Sequence, residues 1–501
     1  MSEKQETSYG SIFKSTALFG FVQVFTIITK VCINKVVALL LGSKGMGIIG
    51  LYNSAIGMIE TGAGLGVSRS AVRDISEANG KNDRNRFSRT ICVTNRVLLF
   101  TSLLGMIVTI ILSPFLSKWS FGDNNHVVAF LLLSIVVAVH IFSTGQYAIL
   151  KGMRQLRALA KSTMFGSLVG MVLAIPFYYL WGEKGIVPSL MISAFASLFF
   201  SNLYVSRVQY DRQKLSFKEI KSEATPMIKM GVALMFTSFL ANLAALAVSS
   251  FMRSKGGLSD VGFYNAGMMI INGYFGVIIT SLTTDYYPRL AAVNHDNEKI
   301  QEELNKQSLV SLIICCPIVI LFIILLPFFI KILYSDEFLP IMDFMKIAMF
   351  GTLITICSNQ VDMILVAKFQ MKTFTIISII YRVLQILLSI ILYSKLGLIG
   401  MGITLALLGC THMTIMTVVV QKKYGIHFNH RFVIIALIVL MLTILSVVVS
   451  DITSMLLRYF IGGFILLGSI AFAIHVLKND MGITLVDILN KFKNNNHIAK
   501  K

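Results

Sequence analysis

The sequence predicts an all-α polytopic membrane protein of about 14 transmembrane helices, built as two six-helix lobes related by an internal repeat and followed by a helical pair. Three observations carry that reading. Hydrophobic residues make up 55% of the chain and charged residues only 14%, with a mean hydropathy of +0.77, whereas a soluble domain carries about 25% charged residues. The apolar residues fall in blocks of about 20, the length a helix needs to cross a hydrocarbon core of about 30 Å. Short strings also return in order: Gly50-Leu-Tyr-Asn53 as Gly262-Phe-Tyr-Asn265, Ile149-Leu150…Gln155-Leu156-Arg157 as Ile364-Leu365…Gln370-Met371-Lys372, and Gly182-x-x-Gly185-x-x-x-Ser189-Leu190 as Gly397-x-x-Gly400-x-x-x-Thr404-Leu405.

Read in order, the spans cover about 15–41, 46–70, 92–113, 127–149, 160–181, 185–206, 227–251, 259–287, 307–331, 340–366, 373–394, 398–420, 432–450 and 456–477. Residues 1–208 form the N-terminal lobe and 209–225 a cytoplasmic linker. Residues 226–424 form the C-terminal lobe, and 425–501 hold the appended pair and a cytoplasmic tail. In that tail Ile483, Leu485, Ile488, Leu489 and Phe492 alternate with charges, as a helix lying on the membrane face or a solvated end would. The first apolar run is too long for a signal peptide and is read as the first span.

The net charge of +20 is a topology signal. Lys81, Arg84, Arg86 and Arg89, then Lys151, Arg154, Arg157 and Lys161, then Arg212, Lys214, Lys218 and Lys221 all fall in connections on one side. Connections on the other side carry about one cation each, around Lys118, Lys184 and Lys395. Both termini are therefore expected in the cytoplasm, and the basic balance favours anionic lipid headgroups over nucleic acid. The six cysteines lie in or beside apolar spans without metal-ligand spacing, so neither a disulfide framework nor a zinc site is expected. No nucleotide-binding loop of the Gly-x-x-x-x-Gly-Lys-Ser/Thr kind occurs. Work done by this chain is expected to draw on an H+ or Na+ gradient, the membrane potential or a downstream sink, with no bound cofactor.

Charges inside spans cost about 2.5–3.5 kcal/mol each on insertion scales, so each needs a reason. Gln23, Thr26, Lys30 and Asn34 form one polar stripe on the first span. Such a stripe lines a wet cavity, or Lys30 pairs with Glu60 of the second span. Lys35 points elsewhere, as a ligand or a snorkelling cation. Glu60 shares a face with Asn53 and either holds a proton or sodium ion or neutralises Lys30. By the Gly-x-Tyr-Asn alignment Asn242 replaces Lys30, Asn265 replaces Asn53 and Asn272 replaces Glu60. Arg253 and Arg382 are the cations of the second half, with Asp362 a partner for Arg382. Asp285 is an interfacial anchor or an ion site. Arg69 and Arg73 are topology determinants placed to meet a phosphate entering from inside. His140 and His412 are read as hydrogen-bonded core residues, and the glycines of Gly62–Gly66 and Gly397–Gly402 as points of close helix approach.

Gly45-Met-Gly-Ile-Ile-Gly-Leu-Tyr-Asn53 opening the second span, and Ile149-Leu-Lys-Gly-Met-Arg-Gln-Leu-Arg157 closing the fourth, resemble the multidrug/oligosaccharidyl-lipid/polysaccharide exporter superfamily. Within it the chain is most similar to bacterial O-antigen flippases. The resemblance implies two lobes around a central cavity that opens alternately to either side. The implied substrate is a polyprenyl-pyrophosphate-linked oligosaccharide, met in the inner membrane among membrane lipids, with glycan polymerase and assembly proteins as partners. Lys30, Asn34, Lys35, Asn53, Arg69, Asn242, Arg253, Asn265, Asn272 and Arg382 are the expected cavity residues, and Glu60, Asp362 and Asp285 the expected ion-coupling acids. A lipid II flippase, a cation-coupled drug antiporter and a membrane polymerase or ligase are the competing readings. The drug antiporter should have an acid-dominated cavity, and the polymerase a large external loop.

Overall fold

The computed structural model describes residues 2–81, 83–211, 213–276 and 286–481. Asp285 and the tail from Gly482 lie outside the described residues, as does the side chain of Gln23. The described residues form helices joined by short connections, with no strand among them. The helices are α1 (Ser2–Ala63), α2 (Val67–Gly80), α3 (Arg84–Phe121), α4 (Val127–Gly152), α5 (Leu156–Trp181), α6 (Ile186–Val205) and α7 (Phe217–Met269). They continue as α8 (Tyr286–Ala292), α9 (Asn297–Ile324), α10 (Leu326–Leu333), α11 (Met342–Ala367), α12 (Met371–Tyr424), α13 (His430–Ser450) and α14 (Met455–Met481).

Local chemistry sets the ends outside the membrane. Asp83 accepts the Arg86 N–H at the start of α3, and Asp296 accepts those of Glu298 and Lys299 at the start of α9. Gly122 and Gly425, at φ +82° and +72°, close α3 and α12 in the left-handed region that glycine enters without a Cβ clash.

Among the described residues ten helical stretches are long and apolar enough to cross a membrane, against about fourteen spans expected. The difference lies in four stretches of 39–57 residues, each long enough to cross twice. Each contains a glycine break: Gly42 (φ +64°), Gly182 (φ +53°), Gly257 (φ +83°) and Gly397 (φ +58°). Their ψ values of −163°, −129°, −176° and −139° reverse the chain in a region other residues rarely enter.

The repeat is written into the backbone. Gly257 follows Gly42 by the same interval as Gly397 follows Gly182, and Phe369 follows Arg154 by that interval too. Arg154 and Phe369 are non-glycine residues at φ +55° and +56°. Around each, the same pair of bonds closes the preceding helix: Arg154 N–H to Lys151 O and Gln155 N–H to Leu150 O, against Phe369 N–H to Val366 O and Gln370 N–H to Leu365 O. Ile149 and Leu150 are buried in one core, Ile364 and Leu365 in another. The string Ile-Leu…Gln thus recurs because it builds the same helix-ending turn twice.

The hairpin glycines correct the register read from Gly-x-Tyr-Asn. Counted from Gly42 and Gly257, Gly47 corresponds to Gly262, Ala245 to Lys30 and Phe275 to Glu60. The alignment on Gly-x-Tyr-Asn is three residues out. A slip of three keeps the apolar face of a helix nearly unchanged, so hydropathy alone does not reveal it.

The chain packs as two compact units, the first reaching to Ala266 and including Ile332–Phe338, the second holding Gly267–Lys331 and the chain from Leu339. These units are cut differently from the repeats, because most of α7 packs on α1 and α2. In the first unit α3 pairs with α4 and α5 with α6, while α4 also lies on α6 and α5 on α1. Val67, Ile75, Ile91, Leu98, Ile149 and Leu159 form its inner core. In the second unit α11 lies along α12, and α9 contacts α11, α13 and α14. The apolar window of α9 is 67% buried and that of α12 only 17%, which makes α9 the most enclosed span of the second unit. Lys346, buried at the start of α11, pairs with Asp343 at 3.2 Å and with Asp451 in the α13–α14 turn.

The four reversals make a testable contrast. A Cβ on Gly42 would stand 2.7 Å from a Glu337 oxygen, whereas one on Gly257 would meet nothing within 4 Å. Gly257→Ala is expected to cost the backbone strain alone, about 1–3 kcal/mol, and Gly42→Ala more. Thermal unfolding in detergent checks the order; equal losses would mean that the carboxylate yields freely.

Candidate functional site

The polar groups expected inside the membrane are spread along the first unit and, in the second, gather mainly around Asp362. In the first unit, the part of α1 beyond Gly42, continued by α2, runs against α7 at three depths. At one end Gly47 and Gly262 cross. A Cβ on Gly47 would lie 2.0 Å from the Leu258 carbonyl oxygen, and one on Gly262 1.9 Å from that of Ser43. Near the middle Asn242 Nδ2 donates to the Gly57 carbonyl at 3.0 Å and lies 3.4 Å from Thr61 Oγ1. At the other end a Cβ on Gly66 would lie 2.0 Å from Gly231 O, and Arg69 donates to Leu234 O at 2.7 Å and to Ser238 Oγ at 3.0 Å. Only glycine lets backbones approach this closely.

Glu60 faces the other way, toward α4. Its Oε1 is 2.6 Å from His140 Nδ1, within hydrogen-bond distance. Of the two readings left open for Glu60, the one that pairs it with Lys30 is not met: its partner is His140. Among the described residues no carboxylate pairs with Lys30, which is exposed, as is Asn53. Asn34 is buried. Asn265 packs on Gly50, whose Cβ would be 1.9 Å from Asn265 Nδ2, and that buried nitrogen has no hydrogen-bond partner. Lys35 donates to the main-chain oxygen of Tyr334, and Arg253 Nε to that of Ser120 at 3.1 Å. Both cations are thus engaged by protein.

In the second unit Asp362 Oδ1 stands 3.6 Å from His412 Nε2, while His412 Nδ1 is 2.5 Å from Ser358 Oγ. Tyr381 presents an edge to His412 at 5.0 Å, and the Arg382 guanidinium lies 5.0 Å over the Tyr381 ring. Arg382 also donates to Gln385 at 2.8 Å. Arg382 and Asp362 therefore share one cluster, with Tyr381 and His412 between them in place of the expected direct pair. Asn272 is exposed in a π-helical turn, Ile270–Phe275, a distortion that often marks functional segments.

A cleft of about 520 Å³ opens at the ends of α2, α3 and α7, lined among others by Arg73, Glu77, Asp83, Arg86, Arg89 and Glu223. Its charges are neutralised locally. Arg73 pairs with Asp74 at 2.7 Å, Arg89 with Glu223 and Glu219, and Arg86 with Glu77 at 3.6 Å. The hydrogen bond from Lys81 holds the Glu77 carboxyl below the usual carboxylate range. Among the described residues no group of three or more His, Cys, Asp or Glu is placed to hold a metal ion.

The sequence marked His140 and His412 as hydrogen-bonded residues, and both are, but it did not pair them with Glu60 and Asp362. His140 and His412 are single residues in apolar spans, and nothing local marks them as the partners of Glu60 and Asp362. Only the folding of α4 beside α1 and of α12 beside α11 brings each pair together.

Residues 36–343 match a family described as polysaccharide biosynthesis proteins. The chain is 19% identical over 342 residues to a lipid III flippase of Escherichia coli (strain K12), covering 68% of this chain and 81% of that protein. It is 23% identical over 307 residues to a candidate O-antigen transporter of Shigella flexneri, covering 60% and 71%. Among solved structures, the lipid II flippase MurJ in an inward closed conformation superposes with a TM-score of 0.70 at 12% identity, over 94% of this chain and all of that one. The fold is that of a transporter of this kind. With more than half of its length matched, this chain belongs to the polysaccharide biosynthesis protein family.

Proposed function

We propose that this protein is a flippase that carries a polyprenyl-pyrophosphate-linked oligosaccharide, an O-antigen or other surface-glycan repeat unit, from the cytoplasmic to the outer leaflet of a bacterial inner membrane. The observation that carries the reading is the 342-residue similarity to a lipid III flippase within a polysaccharide biosynthesis family. These relatives are flippases and transporters, and we group the chain with them rather than with membrane-embedded polymerases or ligases.

The chemistry agrees. Sugars and a pyrophosphate must be shielded from hydrocarbon, while the polyprenyl tail can stay in lipid between helices. Asn53 and Asn272 suit sugar hydroxyls. Lys30, exposed and without a carboxylate among the described residues, suits a pyrophosphate. Movement by alternating access needs helices that separate along their contacts, and the glycine crossings of α1 with α7 supply smooth surfaces for that. With the cytoplasm negative, each net negative charge moved outward is favoured by about 2.3 kcal/mol per 100 mV. Glu60 and Asp362, each beside an imidazole, are the candidate groups for an exchanging proton or sodium ion.

The likeness to the lipid II flippase fold over 94% of this chain favours a second reading, in which a peptidoglycan precursor is the cargo. A cation-coupled drug antiporter is a third, built on the same two acids. Purified protein in proteoliposomes, offered fluorescent lipid-linked oligosaccharide, fluorescent lipid II and a cationic dye in turn, separates them. Flipping of the oligosaccharide lipid is expected. Transport of lipid II or dye alone would overturn the proposal.

Within that assay, Lys30→Ala is expected to abolish flipping without lowering protein yield, and Lys30→Arg to retain part of it. Normal flipping by the alanine variant would make the lysine structural. A double-mutant cycle on Glu60→Ala and His140→Ala is expected to show a coupling of about 1 kcal/mol in thermal stability. A coupling of zero would mean that the 2.6 Å contact contributes nothing to the fold.

A further inference from the structure

The end of the first unit where Gly42 and Gly257 reverse the chain is the outer face if both termini are cytoplasmic. Among the cations there, two lie within the last two turns before a hairpin glycine and reach a main-chain oxygen of the other repeat. Lys35, in the first repeat, donates to the main-chain oxygen of Tyr334, in the loop between α10 and α11 of the second repeat. Arg253, in the second repeat, donates to the main-chain oxygen of Ser120, at the end of α3 in the first. The contacts are reciprocal: each repeat's cation holds the other repeat's loop. Gly122 makes room for the Arg253 guanidinium, since a Cβ there would lie 2.4 Å from Nη1.

The Tyr334 side is built as a strap. Ile332–Phe338 packs with the first unit although the chain before and after it belongs to the second. Tyr334 and Phe338 are fully buried and stacked at 5.0 Å, with Phe263 edge-on to Phe338 at 5.5 Å. Tyr334 Oη donates to Ala266 O at 2.9 Å. Glu337 accepts the Ser43 N–H at 2.9 Å and fills the space where Gly42 lacks a Cβ. At Gly182, Gly257 and Gly397 that space is open. Of four reversals with one backbone shape, one is plugged by a carboxylate from a distant loop.

We propose that Lys35–Tyr334 and Arg253–Ser120 are a pair of outer clasps, with Glu337 on Ser43 as the catch of the first, which keep the outer end of α1 closed on α7. Opening that end to the outside requires both cations to leave their carbonyls. Lys35 and Arg253 are then gate residues and not cargo ligands.

The test reads access without needing the cargo. Gly57 faces α7, deeper than the Gly47–Gly262 crossing, and a Cβ there would meet Asn242 at 3.5 Å, an ordinary contact. A Gly57→Cys reporter is placed in the full-length protein with Cys32, Cys92 and Cys410 changed to Ser. It is labelled in intact cells with a membrane-impermeant maleimide. Lys35→Met and Arg253→Met are each expected to speed labelling about five-fold, the shift that loss of one net hydrogen bond gives, and the double variant more. Glu337→Gln, which keeps the side chain's size, is expected to act in the same direction and serves if a cation variant fails to accumulate. Unchanged labelling in variants of normal abundance would overturn the clasps, and loss of transport with unchanged labelling would return both cations to the cargo site.

Discussion

The fold depends on how closely two helix backbones can approach inside a membrane. Hydrocarbon offers no hydrophobic drive for helices to associate, so contact must come from packing and from polar groups that find partners. In this protein α1 and α2 meet α7 at glycines, Gly47 on Gly262 and Gly66 on Gly231, with carbonyl oxygens seated where side chains would otherwise stand. The same scarcity of solvent explains the reversals: a membrane chain must turn with few bare polar groups, and glycine does so in one residue.

Against this scaffold the ionisable groups sort by what they touch. Glu60 and Asp362 each stand beside a histidine. Lys35 and Arg253 are held by main-chain oxygens. Lys30 is left facing outward from the protein's packing. A polar group in the membrane with a protein partner belongs first to the structure, and one without a described acid is the better place to seek a bound anion.

The helical class and the repeat were legible because both are written in periodic and local terms: apolar blocks, and strings such as Ile149-Leu150…Gln155 that build a defined turn. The register of the first hairpin was not, since a three-residue slip leaves a helix face almost unchanged. Side-chain partners were least legible. Glu60 with Lys30, and Asp362 with Arg382, are the simplest pairings by charge, yet the fold sets a histidine beside each acid. No periodicity in α4 or α12 announces His140 or His412.

Lys346 shows what the last two helices are for. Its ammonium is buried at the start of α11 and reaches Asp451, in the bend joining α13 to α14. A chain cut short before that bend would strand the amine with Asp343 alone, and would bare the flank of α9 on which both helices lie. The terminal pair is thus an integral buttress for the second unit, and a shortened relative lacking it would need another residue at the lysine's place.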